Sequence, residues 1–313
     1  MTTICFASVK GAPGVTTLTT LVGAAWPTDR RALVAECDPS GSDLAVRFQL
    51  SAKCGWSSFA AAARRLDGAP PLLPHLQNLP GGLVAMVGPR SPLPPESVPR
   101  LVDLAIEAAS RDDAWDLLID LGRLPVHSPY LDWLDRADVV VIVTGTDAAS
   151  VLHVHDRSGD LLSRCAERLG LVLVGEAGYG GHEIEDFTGM PVIGQVPDDV
   201  TAAAALAGHP IHQRRLARSS LLRSGRQIAL ILSGDTAQAA EHEPGSEEPA
   251  PAVQDAWPSA HGSADERQSG LVGRLARMRP GFVRLPASVG SVTAGTTEST
   301  EEPTPASSEQ VTR

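Results

Sequence analysis

Lys10-Gly11-Ala12-Pro13-Gly14-Val15-Thr16-Thr17 is a stretch built to meet an anion. Gly11 and Gly14 allow backbone conformations and close approaches that side chains would block. A helix starting near Thr16 would offer unpaired N–H groups and the positive end of its dipole. Thr16 is placed like the hydroxyl that ligates magnesium in phosphate-binding loops. Further along stand Glu36-Cys37-Asp38-Pro39, then Asp120 behind an apolar run, then Pro197-Asp198 behind another. A carboxylate in such a position can hold a metal-bound or attacking water by hydrogen bonding.

These residues need elements to position them, and the apolar runs supply a consistent set. Runs at 3–9, 32–36, 83–87, 117–120, 139–144, 171–175 and 191–196 read as strands, with helical patterns between most of them, notably 16–25, 98–109 and 148–169. Val139-Val140-Val141-Ile142-Val143-Thr144 is β-branched and apolar on both faces, which suits a central strand covered on both sides. Alternation of strands with helices implies an α/β fold: a doubly wound, mainly parallel sheet with right-handed crossovers and helices on both faces. In such sheets ligands bind beyond the carboxyl ends of the strands, which is where the chemistry-bearing residues fall.

The loop at 10–17 resembles the deviant Walker A of ParA/MinD-type P-loop ATPases, written KGGxGK[ST]T. Lys10, Gly11, Gly14, Thr16 and Thr17 match; Ala12 stands where the family has glycine, and Val15 where it has the Walker lysine. Three more segments follow in the family's order. Glu36 to Ser42 resembles the switch of form DxDPxGx, with Asp38 at the acidic position. Trp115 to Asp120 resembles the Walker B strand, with Asp120 expected at the strand's mouth. Gly194 to Asp199 is similar to the Ile-Pro-x-Asp segment that lies against the purine. The segment Leu121 to Pro125 departs from the family's small, proline-rich stretch, and Gly175-Glu176-Ala177-Gly178 lacks the asparagine often found there.

The resemblance covers roughly residues 1 to 232. It implies ATP and Mg2+ as cofactors, Lys10 and Asp38 as catalytic residues, and Thr16, Asp38 and Asp120 around the metal. Residues Gly11, Ala12, Pro13, Gly14, Val15, Thr16 and Thr17 would hold the nucleotide's phosphates, and Pro197 and Asp198 its base. It also implies a nucleotide-dependent homodimer in which Lys10 reaches the partner's phosphates. Valine at 15 can neither donate hydrogen bonds to phosphate nor neutralise its charge, so hydrolysis is expected to be weak.

Composition divides the 313 residues at about 233. Residues 1–233 can bury one α/β core. Residues 234–313 are rich in Ala, Glu, Pro, Ser and Thr with few large apolar side chains, and are expected to be mostly disordered. Within them, 266–285 mixes arginine with Leu271, Leu275 and Met278 as a short amphipathic segment. A net charge of −11 argues against a dedicated nucleic-acid binder. A local basic segment nevertheless lies at 199–232, which reads as one or two helices, with Arg214, Arg215, Arg218, Arg223 and Arg226. It and the tail leave non-specific DNA, a peripheral membrane contact or a protein adaptor as partners. No signal peptide or membrane span is read, so a cytoplasmic location, peripheral at the inner membrane face or on the nucleoid, is expected. Scattered Cys5, Cys37, Cys54 and Cys165 give no metal or disulfide pattern, and Cys5 and Cys37 are expected in the core.

Two readings of function stand side by side. One is a positioning or partitioning switch for a chromosome, division, pilus or secretion cargo, with weak ATP hydrolysis. The other is a non-catalytic pseudo-ATPase scaffold that localises partner proteins.

Overall fold

Strand β1 (Thr3–Ser8) is buried along its whole length, and its side chains alternate between two apolar clusters on opposite faces of the sheet. Ile4 and Phe6 point to one face, Cys5 and Ala7 to the other, as the two-residue period of a strand requires. A strand buried on both faces must be covered by helices on both sides, and the chain provides them.

The computed structural model describes residues 1–234 apart from 12, 28–30, 67, 90, 92, 112–114 and 210–215. After β1 come α1 (Val15–Ala24), β2 (Arg31–Glu36), α2 (Leu44–Arg47), α3 (Trp56–Ala63), β3 (Gln77–Asn78), β4 (Val84–Met86), α4 (Val98–Ser110) and β5 (Trp115–Arg123). The remainder runs α5 (Leu131–Arg136), β6 (Val139–Gly145), α6 (Ala148–Cys165), β7 (Leu169–Val174), α7 (Gly181–Thr188), β8 (Val192–Val196), α8 (Val200–Leu206) and α9 (Ser220–Ser233).

The eight strands lie in the order β3-β4-β2-β5-β1-β6-β7-β8. All pairs are parallel except β3 with β4. This is the doubly wound α/β sheet expected from the sequence, with one short antiparallel edge strand that the sequence did not signal. From β1 the chain steps to β2 on one side, returns through β5, and then continues through β6 on the other. The topological switch therefore lies at β1, and its carboxyl end is where such sheets place a ligand.

One cluster packs α3 to α7 on the sheet; the other packs α1, α8 and α9 on its opposite face. The expected helix at 148–169 is shorter: α6 stops at Cys165, a 3-10 turn spans Ala166–Arg168, and Leu169 already opens β7. Among the described residues between Asp199 and Leu232 lie helices α8 and α9. In α9, Leu221, Ile228 and Leu230 are buried while Arg223 and Arg226 are exposed, so the apolar stripe covers the core. Cys5 and Cys37 are buried core residues. Among the described residues no helix is long and apolar enough to cross a membrane. The expectations for Ala12, Arg214, Arg215 and the tail, including 266–285, lie outside the described residues.

Candidate functional site

The turn after β1 has the backbone an anion cradle needs. Gly11 has φ 70° and Gly14 φ 91°, left-handed values that favour glycine, and Gly14 is the N-cap of α1. No side chain caps this helix end, so its first N–H groups face the loop unclaimed by a capping side chain. Lys10 and Gly11 are exposed, Pro13 and Gly14 half-buried. Val15 is the first helical residue, only 5% exposed, and belongs to the apolar cluster with Leu18, Leu21 and Phe6. Position 15 thus does more than lack a charge: its side chain is part of the core. Thr16 and Thr17 are half-buried in the first turn of α1.

Alternation along β5 puts Asp116, Leu118 and Asp120 on the face that α1 covers. Asp120 was expected at the strand's mouth; instead β5 runs on to Arg123, and Asp120 is 0% exposed. A bulge follows it. The β1–β5 register shifts between Phe6 and Ser8, and Gly122 takes φ 53° there. Asp120 Oδ1 accepts from Gly122 N at 2.9 Å, while Oδ2 has no hydrogen-bond partner among the described residues. Burial pushes the Asp120 carboxyl up to about 7; the Thr16 hydroxyl opposes the rise, and Glu36 and Asp38 reinforce it. Thr16 therefore faces Asp120 closely enough to act on its charge, although no bond of full geometry reaches Oδ2.

Glu36 is Asp120's in-register neighbour on β2. Its Oε1 accepts from Asp43 N (2.7 Å) and Leu44 N (2.9 Å), and its Oε2 from Gly88 N (3.0 Å). Burial raises its pKa while those N–H groups hold it down. With three backbone bonds, Glu36 ties the loop after β2 to the loop after β4. Two residues on, Asp38 accepts from Ser40 N at 2.6 Å and is likewise raised by burial.

The set Thr16, Asp38 and Asp120 is therefore brought together at the carboxyl ends of β1, β2 and β5. Among the described residues no three His, Cys, Asp or Glu side chains are grouped as metal ligands. Two carboxylates and a hydroxyl nevertheless suit magnesium, a hard cation that keeps several waters, and the unpartnered, fully buried Asp120 Oδ2 is an acceptor without a donor. A cavity of about 370 Å3 lies beside Asp38, lined by Pro39, Leu93, Pro94, Pro125 and Tyr130 among others.

At the ends of β6, β7 and β8 lies a larger cavity of about 520 Å3. Asp198 lines it; Pro197, half-buried beside it, does not. Tyr179 also lines it and was not singled out from the sequence, though the glycine-rich run Gly175 to Gly181 after an apolar strand marks that loop. His155, in α6, stacks on Phe187 with ring centroids 4.2 Å apart and has its Nδ1 2.7 Å from the Phe187 carbonyl.

A mainly parallel eight-stranded sheet, with a glycine-rich turn leading from the strand at its switch point into a helix, defines a P-loop NTPase-like α/β fold. Solved structures of MinD and ParA-family ATPases share it. The MinC:MinD cell division protein complex of Aquifex aeolicus matches at 18% identity and TM-score 0.60, covering 75% of this chain and 96% of that one. A ParA family ATPase from Chlorobium tepidum TLS matches at 23% identity and TM-score 0.57, covering 73% and 98%. The septum site-determining protein MinD of Pyrococcus horikoshii OT3, solved with Mg-ADP, matches at 15% identity and TM-score 0.59, covering 77% and 99%. No protein-family model and no curated protein matches the chain.

Proposed function

We propose that this chain is a nucleotide-responsive positioning protein that binds Mg-ATP at 10–17 and hydrolyses it weakly. The observation that carries the reading is Asp120: a fully buried carboxylate with one oxygen unpartnered, opposite the Thr16 hydroxyl at the end of an uncapped helix. A buried acceptor without a donor is costly unless a ligand completes it. Gly11 to Thr17 would wrap the phosphates, donating through every backbone N–H in the run except at Pro13, which has none, with Ala12 at the family's second glycine position. Thr16, Asp38 and Asp120 would hold the magnesium ion, which supplies positive charge to phosphate oxygens. Asp38 would orient water. Lys10, exposed on its loop, is free to reach a second copy in a nucleotide-dependent homodimer.

Cargo is proposed to be a protein or adaptor, and the proline-lined cavity beside Asp38 supports a protein contact at the nucleotide-sensing edge. Exposed Arg223 and Arg226 leave non-specific DNA or an anionic membrane as docking surfaces for α9. The domain proposed here spans 1–233, with 234–313 as an acidic tail, in a cytoplasmic protein.

A second reading, a non-catalytic pseudo-ATPase scaffold, is favoured by Val15. Its side chain is built into the core, so the charge missing there cannot be restored by a local rearrangement. Calorimetric titration of the full chain with Mg-ATP and Mg-ADP, followed by sizing with each, decides between them. Micromolar binding with ATP-dependent dimerisation and slow turnover supports the switch. Binding without turnover in the presence of any partner supports the scaffold, and no binding at all removes the first reading.

A further inference from the structure

The loop between β7 and α7 is held rigidly yet presents a large aromatic ring to solvent. Gly175 N donates to Val196 O at 2.9 Å, Gln195 Nε2 donates to Gly175 O at 2.7 Å, and Tyr179 N donates to Thr146 O at 2.9 Å. Gly178 lies so close to that Thr146 carbonyl that a β-carbon would stand 1.9 Å from its oxygen. Gly180 closes the loop as N-cap of α7, its N–H donating to Glu183 Oε2 at 2.8 Å. The backbone of Tyr179 is thus fixed from both sides. The residue is nevertheless 50% exposed, at the wall of the 520 Å3 cavity.

An exposed ring on a fixed backbone offers a flat apolar face at little entropic cost, and its natural complement is another flat ring. The cavity has the volume of a small-molecule site. Its polar lining is one-sided. Asp147 is committed to the N-terminus of α6, accepting from Ala149 N, Ser150 N and Ser150 Oγ, and Glu183 to that of α7. Glu176 and Asp198 are exposed at the rim, and among the described residues no lysine or arginine lines the cavity. Ionised carboxylates only accept hydrogen bonds, so the rim suits a ring whose edge donates.

We propose that Tyr179 is the stacking platform for the base of a nucleotide held at 10–17, and that the acceptor rim selects bases carrying an exocyclic amino group. The inference rests on the nucleotide reading above and adds the residue and the chemistry that would discriminate among bases.

The test uses the full chain and three probes: Mg-ATP, Mg-ITP, which lacks the amino group, and magnesium tripolyphosphate, which lacks the nucleoside. Wild type should bind ATP more tightly than ITP, and both more tightly than tripolyphosphate. Tyr179→Ala should weaken ATP binding about 10- to 100-fold, the range expected for losing one stacked base, and leave tripolyphosphate unchanged. Tyr179→Phe, which keeps the ring, should stay near wild type. If tripolyphosphate binds as well as ATP, or Tyr179→Ala leaves ATP affinity intact, base stacking at Tyr179 is overturned while the phosphate site survives. Equal affinity for ATP and ITP overturns the amino-group selection. Binding of none of the three overturns the phosphate reading, and this inference with it.

Discussion

The Asp38 carboxylate lies directly against the α-carbon of Gly122: a β-carbon built there would stand 1.9 Å from Asp38 Oδ2. The loop after β2 and the end of β5 therefore share one small space, and only a residue without a side chain lets Asp38 occupy it. Gly122 also sits at φ 53°, where alanine is strained. Gly122→Ala should cost about 1 to 2 kcal/mol of stability from the backbone alone. It should also displace the Asp38 side chain. In titrations with Mg-ATP, Gly122→Ala and Asp38→Ala are expected to weaken binding to a similar degree, and the double variant no further, since both remove one arrangement. Additive losses would show that the contact is incidental.

Glu36 illustrates how a residue with an active-site appearance carries a structural load. Its carboxylate receives three backbone N–H groups, and Glu36→Gln would turn one of those meetings into donor against donor. A loss of about 1 to 3 kcal/mol is expected, the cost of leaving a buried polar group unsatisfied. Urea unfolding monitored by tryptophan fluorescence gives the number. Limited proteolysis should find new cleavage between 38 and 43 or near Gly88, because those are the loops Glu36 joins. Unchanged stability would contradict the bonding described.

Lys10 is the converse case. It is exposed, so Lys10→Ala should leave the melting temperature within about 1 °C of wild type, as neutral surface changes do. If the dimer proposal holds, the same variant should remain monomeric by size-exclusion chromatography with Mg-ATP, under conditions where wild type dimerises. A variant that still dimerises removes Lys10 from the interface.

Much of this was legible in the sequence, and the parts that were not have a common cause. The β-branched run at 139–144 reads as a covered strand because period and composition are local properties, and β6 forms there. The glycines of the turn after β1 are legible for the same reason, and Gly11 and Gly14 take positive φ there. The depth of Asp120 was not legible: it depends on the pairing of β5 with Phe6 of β1 on one side and Glu36 of β2 on the other, which no stretch of β5 alone encodes. Glu36 could not be separated from a metal-site acid, because its partner Gly88 lies 52 residues away. Val15 was legible as an absent charge but not as core, since which side of a helix's first turn is buried is decided by what packs on it. Strand β3, two residues long, carries too little pattern to be read.

That burial sets the expected outcome for Val15→Lys. A lysine at this position removes a buried valine and should lower stability by about 1.5 to 3 kcal/mol, partly offset if the new aliphatic stem lies along the same surface. The added charge should tighten Mg-ATP binding roughly 10- to 100-fold in the folded protein, the value of one charge-assisted contact. Denaturation midpoints and calorimetry on the same sample separate the two effects. Tighter binding with no loss of stability would mean that Val15 contributes little to the core.

The pH dependence of the unliganded protein follows from Asp120. Its carboxyl stands at about 7 in the fold against 3.8 for the free group, chiefly because burial penalises the charge. Between those values the folded state binds the proton and the unfolded state does not. The contribution to stability is therefore complete below about pH 4, shrinks as pH rises through about 7, and is then lost; its ceiling is on the order of 4 kcal/mol. Glu36 and Asp38, raised in the same direction, act with the same sign. Asp120→Asn cannot ionise, so relative to wild type it should gain stability steadily from pH 4.5 to 7.5 in EDTA. Millimolar magnesium with ATP should reverse the comparison at pH 7.5, because only the wild-type carboxylate can meet the cation. A stability difference between the two proteins that stays flat across this range would show that Asp120 remains ionised and already satisfied in the fold.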